Sequence, residues 1–266
     1  MPTTYTHYVY GQEVFQMLPT KIQKEIHPFM GLYNIGVHEP DILFYYRSFC
    51  KNKINQYGVK IHKEPMEQFL RHAFSVYRKQ EQKQEAYSYL AGFMTHFILD
   101  SSCHPYIRKR IRETGISHTE IETDWDYLMM ERNHLDPIRY KTATHILGDH
   151  RYARVIAPYY NKKPVQVHKS LVYMKLILNH MFRTYFGVKR QLAVFLNEKF
   201  LPKQHFQHYF RKTRVNTANL ETCEELTRRY EDSKQQCAQM IEELYYALES
   251  NDLTFCEKKR FERNFS

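Results

Sequence analysis

The sequence predicts an all-α fold, built as a single-domain bundle of several helices. Three observations carry this expectation. Only 8 of the 266 residues are glycine, well below the roughly 7% of an average chain, which leaves few residues for tight β-turns. Apolar residues recur at helical spacing through most of the chain. No convincing period-two alternation marks a half-buried strand. A chain of this length buries one sizeable core. It contains neither an internal repeat nor a low-complexity segment.

The elements follow in order. THYVYGQEVFQML reads as a first helix, with His7 near its start and Pro19 beyond its end. Asp41 directly follows Pro40 in GVHEPDILFYY and is expected to open a helix. His62 lies in VKIHKEP, just ahead of an amphipathic stretch made by Met66, Phe69, Leu70, Ala73, Phe74 and Tyr77. A central apolar helix contains LAGFMTHFILDSSCH, Leu90 to His104. Pro105 disfavours helical geometry at the residue before it, so His104 is expected to end that helix. After a connection containing Gly115, Ser117 and Glu120 form a capping box. It starts a helix with His118 and Glu122 in its first turns and with Ile121, Trp125, Leu128 and Met129 as its apolar stripe. Val165 to Phe200 reads as one long apolar helical region that Gly187 can break. Leu220 to Glu249 reads as a charged amphipathic helix, with Thr222 and Glu225 as a second capping-box candidate. The helical domain is therefore expected over residues 1–250. Residues 251–266 read as a polar C-terminal tail with a few aromatic anchors.

The chemistry concentrates in the central helix. His96, Asp100 and His104 stand at four-residue steps, so they stack on one narrow helix face with a rise of roughly 6 Å per step. His118 and Glu122 repeat the spacing on the next helix. The surroundings are apolar: Leu90, Phe93, Met94, Phe97, Ile98 and Leu99. Polar groups left unpaired there are costly to bury, and a shared metal cluster removes that cost. Imidazole and carboxylate donors suit zinc. One His–Asp pair at this spacing is more often packing than a ligand set; two such clusters are much harder to attribute to packing alone.

In chain order, His7, Asp41, His62, His96, Asp100, His104, His118 and Glu122 resemble the ligand series of the zinc-dependent phospholipase C family. The P1/S1-type nucleases share that ligand logic. The strongest part is HxxxDxxxHP followed by HxxxE. The resemblance implies an all-α fold with a multinuclear zinc site between helices, and two or three zinc ions. It implies that Asp41, His62, His96 and Asp100 hold one zinc, while His104, His118 and Glu122 hold a second, more open one. His7 and the bridging Asp100 contribute to a third. The secreted members complete that third site with a mature N-terminal Trp. Here the single Trp is Trp125 and the chain starts MPTTYTH, so the Pro2 imino group is the available substitute. Glu39, in the loop before Asp41, is an extra acidic group near the site.

The implied reaction is phosphodiester hydrolysis by zinc-activated water, most naturally of a phospholipid. Asp41 or Glu39 accepts the proton, with Asp41 the choice the family implies. Phe44, Tyr45 and Tyr46 are candidates to line a pocket, although core packing is the commoner role of such residues. A P1/S1-type nuclease is the alternative, and a non-catalytic metal-binding helical protein is a second one. The all-helical phosphohydrolases with an adjacent His–Asp doublet are excluded, because no His here is followed by Asp.

The formal charge of +10 favours anionic partners without separating a phospholipid surface from nucleic acid. The runs IRKRIR (Ile107 to Arg112) and CEKKRFER (Cys256 to Arg263) read either as phosphate contacts or as solvated surface. No basic-then-apolar leader and no transmembrane segment is recognisable. Five cysteines without a CxxC pair suit free thiols in a reducing compartment. A cytoplasmic protein with at most peripheral membrane contact is the expectation. Cys103, beside His104, reads as a packed thiol before it reads as a ligand.

Overall fold

A computed structural model describes residues 3–181 and 214–265. Its elements are helices, and no strand occurs among the described residues. The fold is all-α. The helices are α1 (Thr4–Met17), α2 (Thr20–Ile26), α3 (Met30–Gly36), α4 (Lys53–Lys63), α5 (Met66–Lys79), α6 (Lys83–Thr114), α7 (His118–Arg132), α8 (His150–Ile156), α9 (Pro164–Leu176) and α10 (Leu220–Ser250). Asp41–Tyr45 forms a 3-10 turn between α3 and α4. The proposed break at Gly187, with most of the apolar region after α9, lies outside the described residues.

Helix α6 is the axis of the molecule. From Glu85 to Ser101 it is buried on every side, because α3 and α10 pack against it and α1, α2, α5, α7 and α8 also reach it. That explains its apolar composition all round. The closest approach is to α3, through Gly36 and Gly92. A Cβ on Gly92 would meet the Tyr33 carbonyl oxygen at 2.1 Å, and one on Gly36 would meet the Tyr89 carbonyl oxygen at 2.3 Å. Only glycine at both positions lets the two backbones touch. This contact sets the chain that leaves α3, including Asp41, directly against the buried face of α6.

Local signals fix the ends of the neighbouring helices. Asn52 caps α4, accepting from the amides of Ile54 and Asn55 at 2.9 and 3.1 Å. Gly115 ends α6 with φ of 72°, a left-handed conformation that glycine adopts without steric cost. The Ser117 hydroxyl accepts from the Glu120 amide at 3.2 Å and starts α7. The Glu120 carboxylate accepts from the Asn216 side chain at 3.1 Å.

Two expectations need correction. Helix α6 does not end at His104; it continues through Pro105 to Thr114. A proline costs an interior helix about 3 kcal/mol, and packing of Cys103 and Ile107 into the core offsets that cost. Arg229 also donates to the Ser102 carbonyl at 3.3 Å. The Thr222–Glu225 box does not start α10, which begins at Leu220 after a 3-10 turn at Thr217–Asn219. Thr222 instead accepts from Arg110 at 2.9 Å, and Glu225 pairs with Arg228 and Arg229. Beyond α10 the aromatic anchors expected from the sequence lie in the interior. Phe255, Phe261 and Phe265 are all buried in the main core, and the Met66 amide of α5 donates to the Arg263 carbonyl at 2.9 Å.

Candidate metal centre

The side chains meet where α1, the Asp41 turn, α4, α6 and α7 converge. They form three groups: His7, His96 and Asp100; Asp41, His62 and His96; and His104, His118 and Glu122. Within each group the ligand atoms lie within 4.8 Å of one another. Together the groups contain all eight residues singled out in the sequence. Asp100 joins them, with its oxygens 3.2 Å from His7 Nε2, 3.1 Å from His96 Nε2 and 3.5 Å from His104 Nε2.

Three histidines share one device. His96 Nδ1 bonds the Val37 carbonyl at 3.1 Å, His62 Nδ1 the Gly58 carbonyl at 2.8 Å, and His104 Nδ1 the Phe265 carbonyl at 2.6 Å. A carbonyl only accepts, so each Nδ1 carries the proton and each Nε2 keeps its lone pair for the centre. Such outer hydrogen bonds fix the tautomer and ring orientation of metal-ligating histidines. The Nε2 atoms then face carboxylates: His62 to Asp41 at 2.7 Å, His104 to Glu122 at 3.3 Å and His118 to Glu122 at 3.1 Å. His7 stacks on His96 with centroids 4.2 Å apart. Phe44 stacks on His62 at 5.1 Å, so its ring supports a site residue. Tyr45 is buried and Tyr46 half-buried.

The fit to a cation can be tested on these atoms. Both carboxylate oxygens of Asp41, and Nε2 of His96, are buried without a hydrogen-bond partner. Asp41 lies 2.7 Å from His62, yet the geometry is not that of a hydrogen bond. Donors that crowd together without bonding to each other are arranged around a shared point. Three buried carboxylates among five imidazoles would otherwise carry a large desolvation cost. Nitrogen and oxygen donors in groups of three are what zinc takes when one position stays open. His118, with 42% of its side chain exposed, places that opening on the His104 side.

Electrostatics agree with the crowding. Burial pulls the His104 ring down, but the carboxylates of Asp100 and Glu122 outweigh it and push it up to about 9. Burial also opposes ionisation of Glu122 and Asp100, yet the neighbouring histidines hold both well below the usual carboxylate range. His7 is pushed down by burial and by His96.

Other candidates lie elsewhere. Glu39 is fully buried and accepts from the Tyr160 hydroxyl at 2.7 Å. Burial outweighs that bond and raises its carboxyl well above the usual range. Cys103 is buried outside all three groups, and burial pushes its thiol up. Several basic residues of IRKRIR and CEKKRFER pair internally: Arg110 with Thr222 and Glu113, Lys258 and Arg260 with Glu243. Sequence reasoning did not find the His38–His145 pair, whose Nε2 atoms lie 2.7 Å apart under Tyr8. It also could not find the carbonyls of Val37, Gly58 and Phe265, because every residue type offers the same carbonyl.

The model of a family described as zinc dependent phospholipase C matches residues 6–193. This chain belongs to the zinc-dependent phospholipase C family. The match contains all eight residues of the centre and stops before α10 and the buried C-terminal segment. Nothing matches among curated proteins or among solved structures. No helix among the described residues is long and apolar enough to cross a membrane.

Proposed function

We propose that this family member is a phospholipase C-type hydrolase, cleaving a phospholipid on the glycerol side of its phosphate. The observation that carries the reading is the convergence of all eight residues into three groups joined by Asp100, in a chain of this family. We assign Asp41, His62, His96 and Asp100 to one zinc, and His104, His118 and Glu122 to a second. His7 and Asp100 contribute to a third. Zinc, when bound, neutralises the charge that protects a phosphodiester and makes water nucleophilic near neutral pH.

The chain's own residues do the rest. Water adds to phosphorus, the bond from phosphorus to the glycerol oxygen breaks, and diacylglycerol and a phosphorylated headgroup leave. Asp41 accepts the proton that water gives up, and that proton goes on to the departing glycerol oxygen. Glu39 is the poorer base, because burial opposes its ionisation and the Tyr160 hydroxyl already occupies one of its oxygens. The carbonyls of Val37, Gly58 and Phe265 keep three imidazoles in one tautomer throughout.

The segment between Asp41 and Glu64 supports a peripheral membrane contact. It contains Arg47, Lys51, Lys53, Lys60 and Lys63 and no acidic residue, and Phe49 is 49% exposed. Basic residues beside an exposed aromatic suit an anionic bilayer, and this segment also holds His62. The five free thiols, four of them buried, support a reducing, cytoplasmic setting.

Product analysis on a short-chain phospholipid and on single-stranded DNA tests the assignment. Diacylglycerol release by the zinc-loaded protein is the expected result. DNA cleavage without lipid turnover reverses it in favour of a P1/S1-type nuclease. A folded protein that takes up no stoichiometric metal removes both.

A further inference from the structure

The C-terminal segment lies beyond the matched residues 6–193, yet its Phe265 reaches the metal centre. Phe265 is 1% exposed. Its carbonyl accepts from His104 Nδ1 at 2.6 Å, the shortest of the three outer bonds. Its ring lies 5.0 Å from His62, 5.8 Å from His96, 5.9 Å from Phe93 and 5.3 Å from Phe97, centroid to centroid. One residue therefore touches three of the histidines, through two different parts of itself.

The segment is held independently of Phe265. The Arg263 carbonyl accepts from the Met66 amide at 2.9 Å, and the Asn264 side chain donates to the Lys63 carbonyl at 3.2 Å. Met66 and Lys63 flank the turn that follows His62. Phe261 packs near Phe97 and Phe255. Phe265 also lines a cavity of 170 Å³ together with Ile61, Met66, Phe69 and Tyr57.

We propose that Phe265 is a positioning residue of the metal centre: its carbonyl fixes His104 for the zinc held with His118 and Glu122, and its ring closes the apolar wall over His62 and His96. The inference rests on the function proposed above and adds an element outside the family match. A hydrogen-bond acceptor of this kind is worth about 10- to 100-fold in metal affinity. The carbonyl survives Phe265→Ala but not removal of residues 265 and 266, whereas the ring is lost in both.

Zinc affinity, measured by competition with a chelator, separates the two parts. The truncated chain is expected to lose about 10- to 100-fold at one zinc, and Phe265→Ala to keep that zinc within a few-fold. A His118→Ala background identifies the site, because truncation there should cost no further affinity at that zinc. Equal losses in both variants, or none in either, overturn the carbonyl's role. In the zinc-loaded full-length chain, nitrogen NMR of His104 should show the proton on Nδ1. A proton on Nε2 overturns the inference even if the truncated chain does not fold. A full-length chain that binds no zinc overturns the proposed function too. Zinc binding that ignores the truncation overturns this inference alone.

Discussion

His7 Nε2 lies 3.2 Å from Asp100 Oδ1, which ties the first helix of the chain to the middle of α6. The contact is held from the same N-terminal turn of α1. The Asp126 carboxylate on α7 accepts from the amides of Tyr5 and Thr6 at 3.3 and 2.7 Å, and from the Thr6 hydroxyl at 2.8 Å. A carboxylate on the free amides of a helix N-terminus also meets the positive end of its dipole. His7, one turn from the chain's described start, is thereby oriented by a residue that cannot reach the centre itself.

Asp126→Ala is therefore expected to lower stability by about 3 kcal/mol, since it strips charge-assisted bonds from buried donors. It should also weaken the metal that depends on His7. Thermal unfolding with and without zinc checks both. A variant that loses stability but keeps full metal content would detach α1 anchoring from the centre.

Asp100→Ala should remove more metal than Glu122→Ala. Asp100 reaches His7, His96 and His104, one or more residues of each group, whereas Glu122 reaches only His104 and His118. Metal analysis after dialysis should find at least two ions lost in the first case and one in the second. Turnover should fall in the same order. Near-normal turnover in Asp100→Ala would contradict its joining role.

Removing His7 itself distinguishes three ions from two. His7→Ala, or an extension at the N-terminus, should cost about one zinc and leave the others. Unchanged metal content after both changes would place His7 as a packing partner of His96, with the stack worth stability alone.

Zinc binding should be pH-dependent with a definite sign. Asp100 and Glu122 outweigh burial and hold His104 protonated up to about 9, above the ordinary 6.5. Zinc takes only the neutral ring, so filling that group at pH 7 expels a proton. Apparent affinity should then rise about tenfold per pH unit from about pH 7 to about pH 9 and level off beyond. Calorimetry in buffers of different ionisation enthalpy measures the released proton. In the metal-free fold the same raised value contributes stability below about pH 6.5, which is lost as the pH rises through about 9.

Phe49→Ser combined with Lys51→Glu should reduce binding to vesicles of phosphatidylcholine and phosphatidylserine about tenfold or more, since each basic residue near an anionic surface is worth about 1 kcal/mol. Hydrolysis of a short-chain soluble phospholipid should stay unchanged, because neither side chain belongs to the metal centre. Equal vesicle binding by the variant and the parent would dismiss this segment as the contact.

The sequence by itself determined the helical class and the inner ring of the site. Helical periodicity and glycine scarcity are local properties, and four-residue spacing alone aligns His96, Asp100 and His104 on one face of α6. Spacing marked His96, Asp100 and His104 with His118 and Glu122; His7, Asp41 and His62 were legible only through resemblance to the family's ligand series. What lay outside local grammar went otherwise. Pro105 signalled a helix end, but the packing of α6 into the core overrode it. Asp126 looked like one more charged residue of α7 until folding set it under α1. The aromatic residues after Asn251 read as anchors of a polar tail, but their short surroundings have no periodicity to show what they pack against. Only tertiary structure decided that Phe265 sits against His104, that Gly36 and Gly92 let α3 deliver Asp41 to α6, and that Glu39 is buried behind the site. These contacts depend on backbone atoms, on the absence of a side chain or on residues far apart in the chain, and local sequence patterns show none of these.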